Sequence, residues 1–312
     1  MKLVDLFCGG GGSSSGFHQA GFESLAAVDR ERYCVNTYNA NFGKVAFKND
    51  ISHLRSETIL RRTNGEKPTV VTASPPCEPF TLANSTRVKD PFERLFDDPI
   101  GRLSLDAIRL IGDLEPEFFV IENVAGLLDG NGRKYLREEI SRIGYKSYFH
   151  LVNADQFGVP SQRLRVIISN FQIQEPKLKS QTVLEAIETL PPPNYPHEFD
   201  DHVTLPISEN YEKKLPTVNH GEAIVLFQGA QTDMKNYIRI YPENICPVIM
   251  GKSRFIHPTE DRLLTPREHA RLMGFPDNHK FVGGWEQIYD MIGEAVPPPV
   301  TFEIAKQIRK LF

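Results

Sequence analysis

Lys2-Leu3-Val4-Asp5-Leu6-Phe7-Cys8-Gly9-Gly10-Gly11-Gly12-Ser13 is the stretch on which the fold turns. An apolar run meets four consecutive glycines and then a helix-compatible segment from about Ser13, so it reads as strand, tight turn, helix. Further strands are expected at 24–28, 69–73, 118–121, 145–151 and 165–169, with helices near 32–41, 103–114 and 133–143. This alternation predicts an α/β fold: a mainly parallel sheet, helices on both faces, with room for an antiparallel tail.

After about Phe171 the rhythm stops and prolines punctuate the chain, including Pro191-Pro192-Pro193, Pro206, Pro216, Pro242 and Pro247. Residues 172–261 hold 13 Asp/Glu against 8 Lys/Arg, so no plain basic surface is visible there. Order returns at Leu264-Thr265-Pro266-Arg267-Glu268, where Thr265 fits an N-cap, Pro266 the first helical position and Glu268 a capping box. The expected organisation is a catalytic, cofactor-binding domain over 1–171 and 262–312, interrupted by a smaller domain over 172–261.

The bulk properties restrict the class. The chain has 312 residues, is 40% hydrophobic and 24% charged, and carries a formal net charge of −4. That suits a soluble protein with one large core and a smaller lobe, and no global positive field points to a polyanion, although a basic cleft on an acidic body is compatible with it. No run reaches bilayer length and no signal-peptide pattern opens the chain, so a cytoplasmic protein is expected. Cys8, Cys34, Cys77 and Cys246 lie far apart without a CxxC pair, which suggests reduced thiols rather than a disulfide framework or a zinc site.

The glycine turn leaves room for a ligand beside a helix N-terminus. Alone it suits a dinucleotide, a nucleotide, S-adenosylmethionine, or nothing more than a tight turn. Asp29 ends the second strand, where a carboxylate can accept from ribose hydroxyls. Asp50 follows a third short strand, where it can accept from an adenine amino group. Together they suggest an adenosine-containing cofactor.

Ser74-Pro75-Pro76-Cys77-Glu78-Pro79-Phe80-Thr81 places a thiol in a proline-framed loop at the carboxyl end of a buried strand, where open α/β sheets hold ligands. Glu122-Asn123-Val124 follows another apolar strand, so its carboxyl group reaches the same sheet edge. Partial burial there would raise its pKa and let it hold a proton near neutral pH. In Gly158-Val159-Pro160-Ser161-Gln162-Arg163-Leu164-Arg165-Val166, Arg163 and Arg165 share one face of an extended segment. Two guanidinium groups there suit a carbonyl, a phosphate or a salt bridge.

Taken together and in this order, the blocks at 5–12, 74–81, 122–124, 158–166, 264–276 and 293–298 resemble the DNA (cytosine-5) methyltransferases of prokaryotic restriction-modification systems. The resemblance implies an S-adenosylmethionine-dependent methyltransferase fold with a target-recognition domain at 172–261. It implies a cofactor pocket of Phe7, Cys8, Gly9, Gly10 and Gly12, with Asp29 and Arg30 at the ribose, Asp50 and Ile51 at the adenine, Pro76 and Leu103 completing the walls, and Glu294 and Ala295 from the last block. No metal is implied. It makes Cys77 the nucleophile that adds to C6 of a cytosine flipped out of duplex DNA, with Glu122 on N3, Arg165 on the O2 edge and Arg163 in support. A helix over 301–311 should pack near the first strand, and the segment 82–100 should be a mobile lid.

Three positions depart from the family pattern. Glu78 stands where glutamine is usual and would oppose thiolate formation unless protonated or paired with an arginine. Ser161 takes a glutamine position, with Gln162 one place later. Glu294 replaces an asparagine and could pair with the cofactor's ammonium group. Double-stranded DNA is the expected partner and a monomer on DNA the expected state, with a cognate restriction endonuclease acting separately. A tRNA cytosine-5 methyltransferase with the same core and a catalytically silent DNA-binding homologue are the alternative readings. Lys213, Lys214, His220, Arg239, Lys252 and Arg254 are candidate base or phosphate contacts.

Overall fold

A computed structural model describes residues 1–312. In chain order the elements are β1 (Lys2–Leu6), α1 (Gly12–Gln19), β2 (Glu23–Asp29), α2 (Arg32–Phe42), β3 (Ala46–Lys48), α3 (Ser56–Arg62), β4 (Val70–Ala73), α4 (Pro91–Phe96), α5 (Leu103–Leu114), β5 (Phe118–Asn123), α6 (Gly132–Arg142), β6 (Tyr148–Asn153) and β7 (Leu164–Ser169). There follow α7 (Val183–Ile187), α8 (Glu209–Glu212), β8 (Ala223–Gln228), β9 (Asp233–Arg239), β10 (Phe255–Ile256), α9 (Pro266–Leu272), α10 (Trp285–Glu294) and α11 (Pro298–Leu311).

The large sheet has seven strands in the order β3-β2-β1-β4-β5-β7-β6. Strands β1 to β5 pair in parallel, and β7 runs antiparallel to both β5 and β6. From β1 the chain winds outward through β2 and β3, then returns to β4 and β5 on the other side. The direction of winding therefore reverses between β1 and β4. At such a switch point the loops leave in opposite directions and open a crevice at the carboxyl ends of the strands.

Alternation along each strand separates two core layers. Val4, Leu6, Val71, Ala73, Phe119 and Ile121 face a layer closed by α3, α5 and α6. Leu3, Val70, Val120 and Ile167 face the other layer, against Phe17 of α1 and Val300, Ile304 and Ile308 of α11. The expected return of the C-terminal helix to the first strand's neighbourhood is present. Gly16 permits it: a Cβ there would lie 2.2 Å from Pro298 O and from Thr301 Oγ1. Thr301 in turn donates to Ser13 O at 2.9 Å.

Between 172 and 261 lie short helices and a three-stranded sheet, β10-β9-β8. Ile173 joins the layer around Leu3 and Phe17, and the other buried apolar residues divide between two clusters. Val183, Ile187, Ile240, Cys246, Ile249 and Phe255 pack with Leu272 and Ile292 of α9 and α10, so this part shares a core with the chain beyond 262. A small satellite forms around Leu215, Ile256 and Leu263. The capping box expected at the start of α9 is present, with Thr265 and Glu268 each accepting from the other's backbone amide. No helix is long and apolar enough to cross a membrane.

Candidate active site

The parallel strands stop along one edge, and the residues just past their ends line a cavity of ≈ 940 Å³. Every candidate catalytic and cofactor-binding residue named from the sequence lines it: Cys77, Glu122, Arg163 and Arg165; Phe7, Cys8, Gly9, Gly10 and Gly12; Asp29, Arg30, Asp50 and Ile51; Pro76, Leu103, Glu294 and Ala295. The ends of β1 to β5 and the start of β7 converge on this crevice, and Leu103 at the start of α5 and Glu294 and Ala295 at the end of α10 complete it.

The glycine turn is held from several sides. Phe7 takes a left-handed φ of 57°, which turns the chain sharply after β1. The Asp29 carboxylate accepts from Gly9 N and Glu31 N, both at 2.9 Å, so it fixes the turn while lining the cavity. Gly12 allows the last block to approach: a Cβ there would lie 2.6 Å from Val296 O and 2.8 Å from Ala295 Cβ. Beneath the turn, Asp5 accepts from Ser14 Oγ at 2.6 Å and Thr72 Oγ1 at 2.8 Å. Its burial raises its pKa to about 6 against those two hydrogen bonds.

Two positioning residues escaped the sequence reading. His279 Nε2 lies 2.9 Å from Gly10 O and, as a carbonyl can only accept, the ring donates. Burial lowers this histidine's pKa to about 4, so it stays neutral. No local pattern marks His279. Asn123, beside Glu122, donates from Nδ2 to Pro75 O at 2.9 Å and ties the Pro-Pro-Cys loop to β5. Its signal was available, since an amide at a buried strand end needs a partner.

Glu122 and Arg165 meet as a consequence of register. Glu122 pairs with Ile167 across the antiparallel β5–β7 ladder, and Arg165 lies two residues along on the same face, a diagonal neighbour. Their Oε1 and Nε are 3.0 Å apart. The N–H does not align with the contact, so buried Oε1 is attracted by charge but accepts no hydrogen bond. Arg163 is 3% exposed and its Nη1 donates to Ile249 O and Gly293 O, both at 2.9 Å. It thereby clamps the start of β7 to the segment after Cys246 and to the end of α10, and burial lowers its pKa to about 9.

The Cys77 carbonyl accepts from Phe80 N at 2.9 Å and Thr81 N at 3.0 Å, a tight turn that leaves the thiol half-buried. Burial pushes its pKa up to about 11; Arg165 and Arg163 pull it down, while Glu78 and Glu122 push it up. Glu78 is exposed and makes no ion pair, so no arginine offsets its charge beside the thiol. Glu294 opens on the cavity with a pKa raised to about 7, chiefly by burial, with Asp290 and Glu78 adding to it and Arg163 opposing. Around Ser161, backbone pairing supports the arginine segment: Gln162 N donates to Cys246 O at 2.8 Å and Cys246 N to Pro160 O at 2.9 Å.

Two expectations need correction. The segment 82–100 is not one free lid. Its second half forms α4, which buries Arg94 and Leu95, because Asp90 caps that helix and Pro91 begins it. The first half is largely exposed, yet Ala230 N of the β8–β9 turn donates to Leu82 O at 2.7 Å. Arg239 and Arg254 are not free to read DNA either. Arg239 is 7% exposed and donates to four backbone carbonyls and to Asp261. Arg254 is 7% exposed, pairs with Glu286 at 2.7 Å and stacks 3.7 Å above Tyr289. Lys213, Lys214 and Lys252 are exposed, and His220 Nε2 contacts Pro258 O at 2.8 Å.

The geometry suits a thiol addition beside a carboxyl–guanidinium pair and a cradle for a cationic, adenosine-bearing molecule. Residues 1–310 match the family described as C-5 cytosine-specific DNA methylase. A Methanocaldococcus jannaschii chain provisionally named as type II methyltransferase M.MJ0563P is 36% identical, over 99% of both chains. The type II methyltransferase M1.HphI of Haemophilus parahaemolyticus is 32% identical, over 100% of this chain and 87% of its own length. A crystal structure from Escherichia coli, provisionally titled a prophage-encoded DNA modification methyltransferase, shares the fold with a TM-score of 0.79. It is 24% identical and covers 100% of this chain and 99% of its own.

Proposed function

The chain belongs to the C-5 cytosine-specific DNA methylases, and on that premise we propose that it methylates C5 of a cytosine flipped out of a short duplex sequence, with Cys77 as nucleophile. The observation that carries this reading is the convergence of Cys77, Glu122 and Arg165 with the glycine turn in one cavity.

S-adenosyl-L-methionine, when bound, supplies the methyl group from its sulfonium. Phe7, Cys8, Gly9, Gly10 and Gly12 form its cradle, with Pro76, Leu103 and Ala295 as walls. Asp29 and Arg30 border the ribose, and Asp50 and Ile51 border the adenine. The acidic lining, including Glu294, suits a cofactor with a sulfonium and an ammonium group. No metal enters this chemistry.

Cys77 adds as thiolate to C6 of the base, and the electron pair of the C5–C6 bond moves toward C5. Glu122 presents its carboxyl group to N3, Arg165 binds the O2 edge as charge develops, and Arg163 keeps β7 in place. Once C5 carries its methyl group, the C5 proton passes to solvent, its bonding pair re-forms the C5–C6 double bond, and the C6–S bond breaks to release Cys77 as thiolate. Burial and Glu78 keep the free thiol protonated, so the thiolate forms when base and protein close together.

Residues 172–261 serve on this reading as the target-recognition domain, carried on a catalytic domain of 1–171 and 262–312. The β8–β9 turn supports the assignment, since it reaches the loop after Cys77. The protein acts as a monomer on DNA. Its type II relatives support a cognate restriction endonuclease as a separate partner.

Incubation with methyl-labelled cofactor and either duplex DNA or tRNA is the test. Label is expected in DNA; label confined to tRNA would overturn the reading. Duplex carrying 5-fluorocytosine at the target should trap a covalent complex with the native protein and none with Cys77→Ser. Bisulfite sequencing of DNA from expressing cells would identify the target.

A further inference from the structure

The 3₁₀ turn Ile51–His53 presents Asp50, Ile51, Ser52 and His53 to the cavity. Its amino end is closed by its own sequence: Asp50 Oδ1 accepts from Ser52 N at 2.9 Å and from Ser52 Oγ at 2.7 Å. Its carboxyl end is closed from elsewhere. Arg109, on α5, donates from Nη2 to Ile51 O at 3.2 Å and from Nη1 to Leu54 O at 3.1 Å.

The guanidinium is itself aimed by Asp106, one helical turn earlier. Asp106 Oδ1 accepts from Arg109 Nη2 at 3.0 Å and Nε at 3.3 Å, and Asp106 also lines the cavity. A planar fork can hold two carbonyls and a carboxylate together, whereas an ammonium cannot cover the same set. Without Arg109 the two carbonyls lose their only side-chain donor. The turn then rests on Asp50, on the burial of Ile51 and Leu54 in the core, and on single 3₁₀ contacts, such as Leu54 N to Ile51 O at 3.2 Å.

We propose that Asp106 and Arg109 form a positioning pair that fixes the Asp50–Leu54 turn, and so set the affinity for the adenine end of the cofactor without taking part in the transfer. The proposal rests on the reading of Asp50 and Ile51 as the adenine border. Cys77, Glu122 and Arg165 are carried by other strand ends, so the pair acts on cofactor binding rather than on the base.

Steady-state methylation of duplex DNA, with calorimetric titration of S-adenosyl-L-homocysteine, tests it. Arg109→Gln should raise the KM for S-adenosyl-L-methionine and the Kd for S-adenosyl-L-homocysteine by about tenfold, as expected for lost charged hydrogen bonds. Its kcat and its KM for DNA should stay within about twofold. Arg109→Lys, which keeps the charge but reaches fewer acceptors, should recover part of the loss and guards against a Gln variant that fails to fold. Equal losses in kcat and in both KM values would mark a general structural role and overturn the proposal, as would unchanged cofactor constants. Asp50→Ala separates the two levels. If it weakens cofactor binding while Arg109→Gln and Arg109→Lys do not, the positioning role alone fails; if it leaves cofactor binding intact, the adenine border is misassigned.

Discussion

Arginines in two parts of this protein look alike in sequence and do opposite things. Arg165 sits at the sheet edge, faces the cavity and has only Glu122 as a charged partner, with the contact unaligned. Arg239, in the segment after 172, spends its guanidinium on Val218 O, Leu215 O, His257 O, Glu260 O and Asp261. A sheet edge supplies a cavity, so a charge there is left partly free for a ligand. The segment 172–261 has few regular backbone ladders, so its carbonyls need other donors and buried arginines provide them. Charge left free for a ligand and charge spent on structure are separated by the supply of backbone partners.

The largest effects should come from exchanging those roles. Arg165→Ala should lower kcat by about a thousandfold, the loss typical of a donor aimed at developing charge. Its urea midpoint should fall less than that of an Arg239 variant, since the contact to Glu122 is unaligned and the other hydrogen bond of Arg165 goes to the adjacent Leu164 O. Arg239→Ala should instead cost about 3 kcal/mol of stability, because four backbone carbonyls lose the buried side chain that donates to them. The folded fraction should then keep its sequence preference. A normally stable Arg239→Ala protein with altered target choice would erase the distinction.

A smaller effect is expected beside the nucleophile. The Cys77 pKa of about 11 is set mainly by burial, with Glu78 adding to it. Glu78→Gln should lower that value and speed alkylation by iodoacetamide at pH 8 a few-fold, by roughly the effect of one partly screened charge. Alkylation rates that match the native protein across pH 7 to 11 would show that Glu78 does not govern the thiol.

The smallest effect concerns Glu294. Its pKa is raised from 4.5 to about 7, so the folded protein holds a proton there that the unfolded chain releases at lower pH. Stability from this group is full below about pH 4.5 and is lost as pH rises toward 7, with a plateau above. Cofactor affinity should move the other way, rising through pH 7 as the carboxylate forms opposite the ammonium group. Glu294→Gln should flatten both slopes, and pH profiles for stability and affinity identical to those of the native protein would refute its part in either.

Legibility varied with how local the cause was. β1, β2, β4 and β7 fall within about a residue of the positions read from apolar runs, whereas β5 continues two residues beyond 121 to Asn123, so Glu122 lies within the strand and not after it. β6 begins at Tyr148 rather than 145, because Gly144 adopts φ 88° and Tyr145 N closes back onto Ile140 O, which extends the end of α6. β8 and β9 do not show in the sequence because β8 is a run of five apolar residues, with Leu226 exposed, and β9 mixes polar and apolar residues, so neither gives a clean period of two. α4 was missed because a six-residue helix inside a charged stretch has no periodicity to read.

By itself the sequence determined the alternation that makes a doubly wound sheet, the glycine turn after β1, and the identity of the groups at each strand end. Those are consequences of residues within a few positions of one another. The tertiary structure decided which groups remain available for chemistry. Register set Glu122 diagonal to Arg165, Asn123 pinned the loop of Cys77, and His279 anchored Gly10 from 269 positions away. Long-range hydrogen bonds consumed Arg239 and Arg254 and clamped Arg163. Whether a polar group is spent or free depends on which distant backbone atoms need it, and that is fixed only when the chain is folded.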